Sequence, residues 1–157
     1  NADQFRLVLE FLKQIYNFVI VDTASYLTET VQTALEVADY ILLITSQDIP
    51  SIRSCSVFLT IAKESNLLDR VLFVLNRYDN RIKLTPESIS ERLHHPIIGA
   101  IALDDRNIPY TVNRGTPFIL ENPNLLVSKN IHYLVDQIQK RIQQDESSPE
   151  KELVGRK

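Results

Sequence analysis

The 157-residue chain is poor in glycine: it has three, Gly99, Gly115 and Gly155, and no two stand close together. That scarcity excludes a G-x-x-x-x-G-K-[ST] loop or any other glycine-rich phosphate cradle. A single cysteine, Cys55, excludes an internal disulfide and fits a reducing compartment. No apolar run approaches the roughly 18 residues that a membrane-crossing helix needs. Positive charge is not in excess either, since 17 Lys+Arg stand against 20 Asp+Glu for a net charge of −3. That balance gives no general attraction to nucleic acid or to an anionic membrane. Histidine is sparse: His94 and His95 are adjacent, so their side chains diverge, and His132 stands alone. Metal coordination by histidine and a Ser-His-Asp arrangement are both rejected on this pattern.

What is present is a regular alternation of apolar patterns. Phe5, Val8, Leu12 and Ile15 recur at helical spacing over about residues 3–15. Phe18-Val-Ile-Val21 follows, continuously apolar and of strand length. A second stripe, Leu27, Val31, Ala34, Leu35 and Ala38, predicts a helix over about 27–37, and Tyr40–Thr45 reads as a second strand. Ile52, Cys55, Phe58, Leu59 and Ala62 define the next helix, and Val71–Leu75 a third strand. Thr85-Pro86-Glu87 is a helix start, with a capping hydroxyl, proline in the first turn and an acid near the positive end of the dipole. Pro96–Ile101 is a fourth strand candidate, a short helix is expected over about 106–113, and Val127 to Ile142 carry the stripe of a final helix. Strands that are apolar throughout, joined by amphipathic helices, predict an α/β fold in three layers: a mostly parallel sheet with helices on both faces. One domain is expected over residues 1–144, with 145–157 a flexible charged tail.

The chemistry-bearing residues cluster where these strands end. In an open parallel sheet, ligands bind at the carboxyl ends of the strands. Asp22, Asp48, Asn76 and Asp104 each follow an expected strand, which puts them on one edge of one sheet. Asp22, followed by Thr23 and Ala24, has two readings: a strand-ending aspartate that caps the next turn, or a carboxylate that accepts from a water on Mg²⁺. Asn76 can present an amide that both donates and accepts to an adenine edge, or it is a turn residue beside a solvated Arg77. The segment Asp48–Arg53 reads as a helix entry, with Ser51 or Asp48 capping, and the Asp104-Asp105 pair as acids at a helix N-terminus.

The order of the motifs resembles the carboxyl-terminal two-thirds of the MinD/ParA superfamily of deviant Walker ATPases, and within it the pilus-assembly branch called CpaE or TadZ. The strings that carry the resemblance are Phe18-Val-Ile-Val-Asp22-Thr-Ala, Ala38-Asp-Tyr-Ile-Leu-Leu-Ile-Thr45, Asp48-Ile-Pro-Ser-Ile-Arg53, Val74-Leu-Asn-Arg-Tyr-Asp79, Leu84-Thr-Pro-Glu-Ser-Ile89 and Asn113-Arg-Gly-Thr-Pro117. Together they cover about residues 1–140 in unbroken order.

The resemblance implies a P-loop NTPase-like sheet that lacks its phosphate-loop strand, which would lie between 18–21 and 40–45. It implies ATP and Mg²⁺ as cofactors of the full-length parent. Asp22 would be the Walker B aspartate holding the metal's water shell, with Thr23 and Ala24 opening the switch segment. Asn76 and Arg77 would lie at the adenine, together with the loop Ala102-Leu103-Asp104. In that loop Ala102 stands where the family has proline and Leu103 where it has a polar residue; Ser25-Tyr26 replaces a proline and glycine after the Walker B motif. No catalytic set is complete in this chain, so it is expected to be an inactive piece of a longer ATPase. Such a parent would form a homodimer in its ATP state and position cellular machinery, a Flp/type IV pilus machine or another polar cargo. A non-hydrolysing dimerisation scaffold, a MinD-like cell-division ATPase and a ParA-like partitioning ATPase are the alternatives. Direct membrane insertion is not expected, because the tail 145–157 holds only Leu153-Val154 as an apolar pair. A cytoplasmic location, with recruitment to the membrane or pole through partners, follows from the same resemblance.

Overall fold

The computed structural model describes residues 1–147. They form two compact units, Asn1–Ile41 with Ala62–Val71, and Leu42–Ile61 with the residues from Leu72 onward.

In the first unit, α1 (Ala2–Ile15) packs against α2 (Glu29–Val37). Asn1 caps α1 by accepting from the Asp3 N–H at 2.9 Å, and Thr28 caps α2 by accepting from the Val31 N–H at 3.2 Å. Cations serve the carboxyl end of α2, where carbonyls lack partners and the dipole is negative. Lys13 Nζ donates to the Val37 carbonyl at 3.0 Å, and the Arg70 guanidinium donates to the carbonyls of Glu36 and Ala38 at 3.3 and 3.2 Å. Arg6 pairs with the Glu36 carboxylate, which, with Gln32, holds that carboxyl below its usual range. Of the expected α1 stripe, Phe5 and Leu12 are partly buried, whereas Val8 and Ile15 are 51% and 55% exposed.

The expected buried strand at 18–21 is not formed. These residues carry no regular structure, and Phe18, Ile20 and Val21 are 70%, 93% and 39% exposed. A strand exists only where a neighbour takes its N–H and C=O groups. Among the described residues no strand does so for 18–21.

The second unit holds the sheet. Strands β1 (Ile41–Ser46), β2 (Val71–Tyr78) and β3 (Ile97–Ala102) lie in the order β1-β2-β3, all parallel. This is the α/β class expected from the apolar patterning, with three strands formed. The crossovers are α3 (Ile49–Glu64) and α4 (Pro86–Leu93). Central β2 is buried on both faces, with Phe73, Val74 and Leu75 fully enclosed. Phe73 and Leu75 meet Ile52, Cys55 and Ile89 in a core to which Leu43, Leu84 and Ile97 add their partly buried side chains. Edge strand β1 alternates instead: Ile41 and Thr45 are buried, while Leu42 and Ile44 are 42% and 54% exposed. Its apolar run therefore covers one face only.

Three further helices complete the unit: α5 (Asn107–Asn113), the short α6 (Phe118–Glu121) and α7 (Leu126–Glu146). α7 lies on β3, and Gly99 is the close point. A Cβ added there would stand 3.1 Å from Leu134 Cδ1. α7 runs two residues into the segment expected as tail, held in part by the Arg141–Asp145 pair one turn apart at 3.2 Å. The remainder of that expected tail, 148–157, lies outside the described residues.

Candidate functional site

The carboxyl ends of β2 and β3 come together through the backbone. Leu75 pairs with Ala100 and Tyr78 with Ala102, so β2 spends three residues where β3 spends two. The extra residue is a bulge, and it falls at Asn76-Arg77. Arg77 has φ 56, in the left-handed region that non-glycine residues seldom occupy. Asn76 stabilises the kink with its own side chain, Oδ1 accepting from the Arg77 N–H at 2.9 Å. Asn76 and Arg77 are thus part of the strand and do not follow it, which corrects the sequence reading.

Two contacts tie this bulge to β3. The Leu103 N–H donates to the Tyr78 carbonyl at 2.9 Å, and Arg77 Nη2 donates to Asp105 Oδ1 at 3.2 Å. Behind them, Asn130 on α7 accepts from the Ala102 N–H at 3.1 Å and fixes the last residue of β3. Asn76, Arg77, Ala102, Leu103 and Asp104 therefore belong to one edge of one unit. Asp22, Thr23 and Ala24 belong to the other unit, exposed and without regular structure.

The carboxylates resolve largely to local roles. Asp104 accepts from the Asn107 N–H at 2.9 Å, the Arg106 N–H at 3.2 Å and the Asn107 side-chain amide at 2.8 and 3.0 Å. Those bonds favour its charged form and hold its carboxyl below the ordinary range. It is the cap of α5, as the plain reading of Asp104-Asp105 has it. Asp48 caps α3, accepting from the Ser51 N–H at 2.8 Å and the Ser51 hydroxyl at 2.9 Å. Asn76 differs in that its Oδ1 is anchored on the Arg77 N–H, while among the described residues no partner takes its NH₂ group.

Sequence reasoning missed Gln47 and Asn130 at this edge, and it read Asp105 only as a helix acid. Asp105 partners Arg77, and Asn130 reaches in from a helix 28 residues away. Gln47, directly after β1, is 8% exposed and spends its whole carboxamide on backbone. Oε1 accepts from the Asp79 N–H at 2.8 Å, and Nε2 donates to the Asp79 and Leu84 carbonyls at 3.2 and 2.8 Å. A glutamine between serine and aspartate in a strand exit gives no signal of its own. The Asp79 carboxylate in turn grips the Arg81 guanidinium at 2.5–3.0 Å, which brings its carboxyl down to about 2.

No family model matches the chain. Its fold, by contrast, has clear counterparts among solved structures. MinD in the MinC:MinD cell division complex of Aquifex aeolicus superposes with a TM-score of 0.80 at 21% identity, over 89% of this chain and 60% of that one.

The fold is that of the MinD/ParA ATPases.

The septum site-determining protein MinD of Pyrococcus horikoshii, solved with Mg-ADP, gives a TM-score of 0.76 at 21% identity, covering 90% of this chain and 58% of that one. In sequence the chain is similar to the septum site-determining protein MinD of Synechocystis, 22% identical over 126 residues, which is 77% of this chain and 47% of the relative. The chain thus spans about half the length of the curated relatives it matches. Among the described residues no helix is long and apolar enough to cross a membrane.

Proposed function

We propose that this chain is the switch- and base-binding portion of an ATP-driven positioning protein of the MinD/ParA type. The observation that carries the reading is the bulge at Asn76-Arg77, which sets the Asn76 side chain at the carboxyl end of the central strand beside the exit of β3. That edge is where a doubly wound sheet takes its nucleotide. Asn76 would donate to the adenine, Arg77 would lie along it, and Ala102, Leu103 and Asp104 would form the opposing loop. Asp22 would accept from the water shell of Mg²⁺, with Thr23 and Ala24 in the switch segment. When bound, Mg²⁺ supplies charge neutralisation for the phosphates. This chain has no glycine-rich loop to cradle those phosphates, so tight ATP binding and turnover belong to a longer parent polypeptide. On this reading residues 1–144 are part of its ATPase domain, and its ATP state is a homodimer.

Two cargoes fit. The motif strings favour the CpaE/TadZ branch and a Flp/type IV pilus machine. The named relatives favour a MinD-like role in septum placement, with a protein partner as in the Aquifex complex. The test is Mg-dependent ATP turnover by the full-length gene product. Asp22→Ala should abolish it, and the 157-residue chain alone should show none above its own Asp22→Ala control. Unimpaired turnover in the full-length Asp22→Ala protein would overturn the reading. Cargo is separated by co-purification against pilus-assembly and septum-placement proteins.

A further inference from the structure

We propose that Gln47 is a positioning residue for base recognition, holding the Asn76-Arg77 bulge in its binding shape from the neighbouring strand; this rests on the nucleotide reading of that bulge. A bulge with a left-handed arginine is strained, and it persists only if the chain is fixed on both sides. Upstream the anchor is Leu75, fully buried and in register with Ala100. Downstream the Tyr78 carbonyl is held by Leu103, and the next residue, Asp79, is held by Gln47 through both its N–H and its C=O. β1 ends at Ser46, so no backbone of that strand is left to pair with Asp79. The Gln47 carboxamide takes that place, and its remaining N–H reaches the Leu84 carbonyl across the loop that leads to α4.

The donor and acceptor pattern leaves little choice of residue. One acceptor must meet the Asp79 N–H, and two donors must meet two carbonyls, from a side chain long enough to leave β1. Glutamine alone among the uncharged side chains does this at that length. A glutamate of equal size would set a carboxylate oxygen against the carbonyls of Asp79 and Leu84. With the anchor gone, Arg77 can relax to negative φ, and the Asn76 amide turns with it.

The experiment is adenosine titration of the 157-residue chain followed by ¹H–¹⁵N correlation spectra. Wild type is compared with Gln47→Glu, Gln47→Ala and Leu9→Ala, the last a core truncation on α1, in the other unit. The wild-type Asn76 side-chain amide should shift on adding adenosine. Both Gln47 variants should bind about tenfold more weakly or worse, the loss expected for one well-made hydrogen bond to the base. Their Arg77 and Tyr78 amide signals should already be displaced without adenosine, while Leu9→Ala binds as wild type. Gln47 variants with wild-type affinity, or with a loss no greater than that of Leu9→Ala, would overturn the positioning role and leave the site standing. A wild-type chain whose spectrum ignores adenosine would overturn the base-binding reading, and this assignment with it.

Discussion

Arg77 and Asp105 join the ends of two strands: the guanidinium on the β2 bulge donates to the carboxylate that follows β3 at 3.2 Å. Both side chains are 63% exposed. At that exposure the pair is screened by solvent and contributes under about 1 kcal/mol. Arg77→Ala, Asp105→Ala and the double variant should therefore differ by little in urea midpoint, with a coupling energy of about 0.5 kcal/mol or less. A coupling of several kcal/mol would mean that the pair is structural and not a surface latch beside the base site.

Gly99 and Leu134 set how closely α7 lies on β3. Gly99→Ala asks Leu134 Cδ1, 3.1 Å from the new Cβ, to give by a few tenths of an ångström. That cost, offset by the lower chain entropy of alanine, should leave stability within about 1 kcal/mol of wild type. Gly99→Val should cost about 1–3 kcal/mol. Leu134→Ala should cost less in the Gly99→Val background than alone, because the two positions share one space. Additive losses in chemical denaturation would refute the packing contact.

Acid should expose the Asp79–Arg81 clasp. The folded-state carboxyl is depressed from 3.8 to about 2, so the charged form is favoured by the native structure. Its contribution is fully present above pH 3.8 and is lost as pH falls through about 2. Between pH 5 and pH 2, Asp79→Asn should lose less stability than wild type, followed by urea midpoint at each pH. Equal losses in the two proteins would show that the clasp does not couple to folding.

Cys55 packs in the core with Ile52, Phe73, Leu75 and Ile89, and burial pushes its thiol above the ordinary range, with Asp48 acting in the same direction. A hydrogen bond with Thr45 partly opposes this. Neutral and enclosed, it should react with a thiol reagent at the rate of unfolding, and quickly in denaturant. Prompt stoichiometric labelling of the native chain would contradict the core assignment.

Ile20 is 93% exposed within an apolar run that no strand among the described residues pairs. Ile20→Lys should change stability by no more than about 0.5 kcal/mol. It should also reduce self-association in light scattering, since an unpaired apolar segment is a template for other chains. A large loss of stability would mean that Ile20 is covered in solution.

The sequence announced some elements plainly. β2 is legible in Val71–Leu75 because five apolar residues in a row suit a strand buried on both faces, and Thr85-Pro86-Glu87 marks a helix start by chemistry alone. Phe18–Val21 carries the same kind of signal, yet an apolar run reads alike whether or not a neighbour pairs with it. At β1 the run overstated burial for a related reason, since composition does not tell an edge strand from a central one. The candidate edge was found through Asn76 and Asp104, but its mechanics were hidden. A bulge is a register difference between two strands, and Gln47, Asp105 and Asn130 act through pairings that no local spacing encodes. Asp104 shows the converse: the plain capping reading describes its carboxylate fully.

The left-handed backbone at Arg77 sets two demands on one position in opposition. Glycine would occupy φ 56 without the roughly 1 kcal/mol that a side chain costs there. It would also delete the guanidinium that pairs with Asp105. Arginine at this position therefore combines a backbone that glycine would adopt more cheaply with a charge that glycine cannot supply.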